Sequence, residues 1–170
     1  MLKNTYFLFG FILICTSCSE EHGRNIGVVD LPSMYESFDY QIELSNEYEE
    51  ISAKSYAVID SLEKDIKNYE FALNASTVYN DSEKSQLFEM TYVSFLDQQK
   101  REQFKLDSIG DDFSNKVWAQ LNSYVQEFGS ENNYDVIIGM KGDGNVMYVK
   151  DGANITNEVI SYSNDKYNGR

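Results

Sequence analysis

The sequence predicts an α+β protein in which a small β-body carries one long antiparallel helical hairpin. Three observations predict it. A single proline occurs in 170 residues, so long helices can run unbroken. Apolar residues recur at alternating steps of three and four along two stretches of about forty residues or more. Short apolar runs of strand character flank those stretches.

Composition narrows the function. The chain carries 28 acidic and 14 basic side chains, a net charge of -14. Little is left to neutralise phosphates, which argues against nucleic acid as a partner. One His and two Cys leave little for a metal centre or a catalytic triad. Thirteen Tyr and ten Phe are too many for a disordered acidic chain. Gly139-x-x-Gly142-x-Gly144 is no dinucleotide fingerprint, because it joins strand to strand rather than strand to helix. No catalytic residue, cofactor or metal site is expected.

The N-terminus reads as an address. Lys3 supplies a positive start, and Tyr6 to Cys15 is an apolar run of signal-peptide length, too short to span a bilayer. Ser17-Cys18 resembles the end of a bacterial lipoprotein box. That resemblance implies a signal peptide over 1–17, cleavage before Cys18 and acylation of Cys18, hence a membrane anchor. Ser19-Glu20-Glu21 is similar to an acidic surface-export signal of some lipoproteins. Residues 18–25 read as the lipidated Cys and a tether.

The main domain is expected over 26–162. Ile26–Asp30 is a short apolar strand, broken by Leu31-Pro32. Ser33 and Glu36 have capping-box spacing. The first arm follows with Met34, Phe38, Leu44, Tyr48, Ile51, Val58, Leu62, Ile66 and Leu73 in its stripe. A turn is expected near 74–80, where Asn80 and Glu83 repeat the capping pattern. The second arm carries Phe88, Tyr92, Phe95, Leu106, Phe113, Val117 and Leu121, and Gly129 is its expected C-cap. The hairpin thus spans 33–129. Gln41, Ser55, Gln99 and Gln103 stand where a tight coiled coil wants Leu or Ile. The arms should therefore pack loosely, with some aromatics facing outward.

Beyond the hairpin, strands are expected at 134–140 and 145–149, joined by the Asp143-Gly144 turn. A short helix at 155–162 and a frayed polar tail at 163–170 complete the chain.

These segments resemble the Skp/OmpH family of periplasmic chaperones. The resemblance is carried by Ile26–Asp30, the hairpin, Glu131–Ile138, the strand around Val146–Tyr148 and Asn154–Val159. It implies a homotrimer whose strands form a central body with three hairpins hanging from it. It implies an ATP-independent holdase for unfolded outer-membrane β-barrel proteins in the periplasm. Body residues would include Val28, Val29, Val136, Ile137, Ile138, Val146 and Tyr148. Tyr48, Tyr56, Phe88, Tyr92 and Phe95 are the candidate client contacts. Familiar members are soluble and basic, whereas residues 34–133 here hold 20 acidic and 8 basic side chains, a net of -12. That balance disfavours anionic lipid at the arms and favours basic or neutral clients. The competing expectation is a lipid-anchored trimeric coiled-coil scaffold with one dedicated envelope partner.

Overall fold

The computed structural model describes residues 24–170. The expected signal segment 1–17 and the lipidation candidate Cys18 lie outside the described residues.

The element order is β1 (Ile26–Asp30), α1 (Leu31–Glu36), α2 (Asp39–Ala75), α3 (Asp81–Glu131), β2 (Val136–Met140), a short 3-10 turn (Asp151–Ala153) and α4 (Thr156–Tyr167). β1 and β2 pair in parallel, Ile26 opposite Val136 and Asp30 opposite Met140. Parallel neighbours need a crossover. Here the crossover is the entire hairpin, which therefore projects from the sheet. Gly139 leaves room on β2 for Leu31. A Cβ at that position would stand 2.7 to 2.8 Å from three Leu31 carbons.

The first arm is interrupted where the sequence predicts continuity. Asp30, rather than Ser33, caps α1: its carboxylate accepts the Ser33 backbone N–H at 2.8 Å. Hydrogen bonds from Ser33, through its side chain first and its backbone second, hold Asp30 below the ordinary carboxylate range. Pro32 sits in the first turn, where a missing N–H costs nothing. Phe38 then adopts an extended backbone, with φ -83° and ψ 123°, and drives its ring into the core. Only after it does α2 begin.

At the tip the sequence reading holds. α2 ends at Ala75 and α3 starts at Asp81. Asn80 Oδ1 accepts the Glu83 N–H at 2.9 Å, and Glu83 Oε2 accepts the Asn80 N–H at 3.0 Å. With a rise of 1.5 Å per residue, α2 and α3 extend about 55 and about 76 Å.

Gly129 is not the C-cap. α3 runs on to Glu131, and Asn133 takes the left-handed conformation at φ 56°. The Asn133 N–H reaches Ser130 O, and the Tyr134 N–H reaches Gly129 O at 2.9 Å. These two bonds make a Schellman motif with Asn in the usual place of Gly. Gly129 is buried inside the last turns instead, where a Cβ would press on Ile137 at 3.2 Å.

The strand expected at 145–149 does not form. The type I′ hairpin turn that Asp-Gly favours needs two adjacent residues at positive φ. Here Gly142 and Gly144 take positive φ, with Asp143 between them. The far edge of β1 is already occupied. Val28 bridges Asn154, and its carbonyl accepts the Ile155 N–H at 2.9 Å. Thr156 Oγ1 accepts the Asp30 N–H, also at 2.9 Å.

The tail is ordered rather than frayed. α4 continues to Tyr167, with Val159 and Ser163 buried beneath it. The side chain of Asn164 caps α2 from a distance: its Oδ1 accepts the Asp39 N–H at 2.9 Å, and its Nδ2 donates to Ser37 O. This supplies what Phe38, which has no side-chain acceptor, lacks at the start of α2. The core of this base is Val29, Met34, Phe38, Leu121, Phe128, Ile155 and Val159. Phe38 packs edge-on against Tyr40, Tyr124 and Tyr167.

Candidate functional site

The arms meet closely at intervals, with openings between the closed points. Leu44, Leu106, Val117 and Leu121 are buried along the seam, and Leu73 is buried at the tip. Between them the seam is incomplete in three places.

Nearest the base lies a cavity of about 170 Å³ lined by Tyr35, Leu44, Tyr48, Gly110, Phe113 and Val117, with Gln41, Ser45 and Ser114. Gly110 makes the space. A Cβ there would meet the Tyr48 ring at 3.6 Å, an ordinary contact. α3 is in fact continuous through it.

Midway stands a polar node. Ser55 is 1% exposed and donates its hydroxyl to Glu102 Oε2 at 2.8 Å. Lys105 Nζ approaches the same oxygen at 3.4 Å. The Ser55 hydroxyl, reinforced by Lys105, holds the Glu102 carboxyl below its usual range against partial desolvation. A small hydroxyl residue at a seam position lets a carboxylate reach inward, where a leucine would have closed the arms.

Beyond the node is a trough of about 400 Å³. Glu63, Ile66, Lys67 and Glu70 face it from α2, and Phe88, Tyr92 and Phe95 from α3. The α3 spacing of four and three residues puts those rings on one helix face. Phe88 stacks on Tyr92 at 5.7 Å between centroids, and Tyr92 meets Phe95 at 5.9 Å. Edge contact and offset stacking suit such pairs, so the ladder is preformed.

Three of the residues expected to be client contacts, Phe88, Tyr92 and Phe95, thus line one trough. Tyr48 belongs to the cavity at the base instead, and Tyr56 projects into solvent at 56% exposure. Sequence reasoning missed Phe71, Val78, Met90, Val93, Leu96 and Phe104, all exposed on the hairpin. They lie off the regular stripe. A large apolar residue displaced from the helical period was the available signal.

At the sheet end, Val28 and Val29 are buried in the core, while Ile137 and Val146 are half-buried. Val136, Ile138, Met147 and Tyr148 are exposed, as is Ile26.

Charge completes the picture. Four of the eight hairpin cations pair with a carboxylate on their own helix: Lys64 with Asp60, Arg101 with Asp97, Lys105 with Glu102 and Lys116 with Asp112. Exposed pairs of this kind contribute little stability. They leave Lys54, Lys67, Lys84 and Lys100 against a larger number of unpaired carboxylates, so the charge left over along the arms is acidic.

This geometry defines a class of protein, a small sheet-based body with one long, partly open helical arm. The particular family follows from comparison with known proteins. The chain matches the family described as Outer membrane protein (OmpH-like) over residues 25–162, and it belongs to that family. Its fold is shared by a crystal structure from Caulobacter crescentus CB15, described as a candidate outer membrane chaperone (OmpH-like). The two have 14% sequence identity and a TM-score of 0.72, and the match covers 84% of this chain and 85% of that one. No curated protein matches the chain.

Proposed function

We propose that this protein is an ATP-independent holdase of the bacterial envelope that shelters unfolded outer-membrane β-barrel proteins between its arms. The observation that carries the reading is the row of uncovered apolar side chains along the hairpin. Phe71 is 78% exposed and Phe104 is 74% exposed, on helices that elsewhere bury their apolar face. An unfolded barrel strand alternates apolar and polar residues and aggregates through its edges. An arm offering many separate apolar contacts can hold such a chain without a fixed register. Tyr48, Tyr56, Phe88, Tyr92 and Phe95 are proposed as client contacts, with Phe71 and Phe104 added to them.

The working unit in this reading is a homotrimer. Two five-residue strands make too small a sheet to bury its faces alone. Ile26, Val136, Ile138, Met147 and Tyr148 leave an apolar surface at the sheet end, which further copies would cover. Acylation of Cys18 would hold the unit at a membrane.

The test is dilution of a urea-unfolded outer-membrane protein into buffer with and without the protein, followed by light scattering. The expected result is suppression without ATP for several unrelated barrels. Replacing Phe88, Tyr92 and Phe95 together by Ser should weaken suppression while sedimentation still finds the trimer. Scattering unchanged for every barrel would reject the holdase and favour a scaffold with one partner.

A further inference from the structure

We infer that the distal trough selects cationic amphipathic segments, with apolar side chains lying on the Phe88–Tyr92–Phe95 ladder and Lys or Arg heads beside Glu63 and Glu70. The inference rests on the holdase reading and specifies which part of an unfolded chain is held, and where.

Two features of the trough coincide. Its α3 wall is a preformed aromatic ladder, and its α2 wall carries Glu63, Ile66, Lys67 and Glu70, two carboxylates against one cation. A strand of alternating side chains presents apolar groups on one face and polar groups on the other. The wider field has the same sign. Between residues 60 and 100 there are 8 acidic and 4 basic side chains, and Lys64 is already held by Asp60. A partner with Glu or Asp at its polar positions would meet like charge, whereas Lys or Arg would meet carboxylate and ring faces together. The aromatic ladder supplies area without sequence register, and the carboxylates supply the sign preference.

The test uses the full-length protein and two labelled peptides of alternating Leu and polar residues, identical except that Lys in one is Glu in the other. Binding is read by fluorescence anisotropy. The Lys peptide should bind about tenfold more tightly at low salt. That preference should shrink to about twofold in high salt, where the screening length falls to a few ångströms. E63Q combined with E70Q should remove most of the preference. Tyr92→Ser should weaken both peptides and leave the ratio in place. Equal binding of the two peptides, or a preference unchanged in the double variant, overturns the inference and leaves the holdase intact. No binding of either peptide counts against the holdase as well.

Discussion

The base and the distal arms use the same residue types in opposite ways. At the base Phe38 is 1% exposed and enclosed by three tyrosine rings, whereas on the arm Phe71 is 78% exposed with nothing over it. The base is closed by chain segments far apart in sequence: β1, the start of α2, the end of α3 and α4. Each supplies what another lacks, as when Asn164 of α4 caps α2. The distal arms have only each other, and Ser55 with Glu102 sits where an apolar pair would seal them. Stability is therefore concentrated at the base, while the distal arms leave large apolar side chains uncovered. A binding arm can stay open because it is not needed to hold the fold together.

The comparison breaks most decisively under core truncation. Leu121→Ala, at a fully buried site, should cost about 3 kcal/mol or more in urea unfolding. Phe71→Ala should cost less than about 0.5 kcal/mol. Trp118 stacks on Tyr35 at 5.0 Å, so its fluorescence reports the base specifically. Equal costs at the two sites would mean the arms are structural.

Next in size is the long-range cap. Asn164→Ala should cost about 1 to 2 kcal/mol, because it strands the Asp39 N–H and frees the Ser37 carbonyl. Hydrogen exchange should speed up at the start of α2 and leave the tip unchanged. At the other end, Asn80→Ala removes the capping box and should cost about 1 kcal/mol. Its signature should be faster exchange in the first turn of α3, with Trp118 fluorescence unmoved.

Titration separates the regions more finely. The Tyr167 hydroxyl donates to Glu43 at 2.6 Å, and this bond, aided by burial, raises the phenol to about 12. A raised value means the contribution is whole below the phenol's ordinary value near pH 10 and is lost as pH rises towards about 12. Lys166 is raised in the same sense, by Tyr162 first and then Glu127. Alkali should therefore loosen α4 from the base, and tyrosinate absorbance should show a late-ionising phenol that Tyr167→Phe abolishes. In acid the sign reverses. Asp30 and Glu102 are both held low, so their contributions are present above the ordinary carboxylate values and fade as pH falls through the depressed ones. Circular dichroism of wild type and Ser55→Ala across that range should converge once Glu102 is protonated. Curves that stay parallel throughout would remove the node from the account of the arms.

Much of the hairpin was legible because its signals are local. The three–four periodicity, the Asn80–Glu83 box and the turn between the arms each lie within a few residues of sequence. The aromatic row Phe88, Tyr92 and Phe95 was legible for the same reason, since residues three and four apart share a helix face. The trough opposite it was not. Which α2 residues face those rings depends on the register of two helices, and an impure stripe sets that register only weakly.

What the residues dictated without help from the rest of the chain is the kind of molecule: two long arms, a short strand before them, a strand after them and an acidic surface. The tertiary structure decided the rest. It broke the first arm between Glu36 and Asp39, where Phe38 turns its ring into the buried base. It left 145–149 without a partner strand, because residues 142–144 do not make the tight turn that would fold it back along β2. It turned a polar tail into a packed helix, because Asn164 and Tyr167 find partners more than a hundred residues upstream. Such outcomes depend on contacts between distant segments, and local sequence carries no record of which distant segment will arrive.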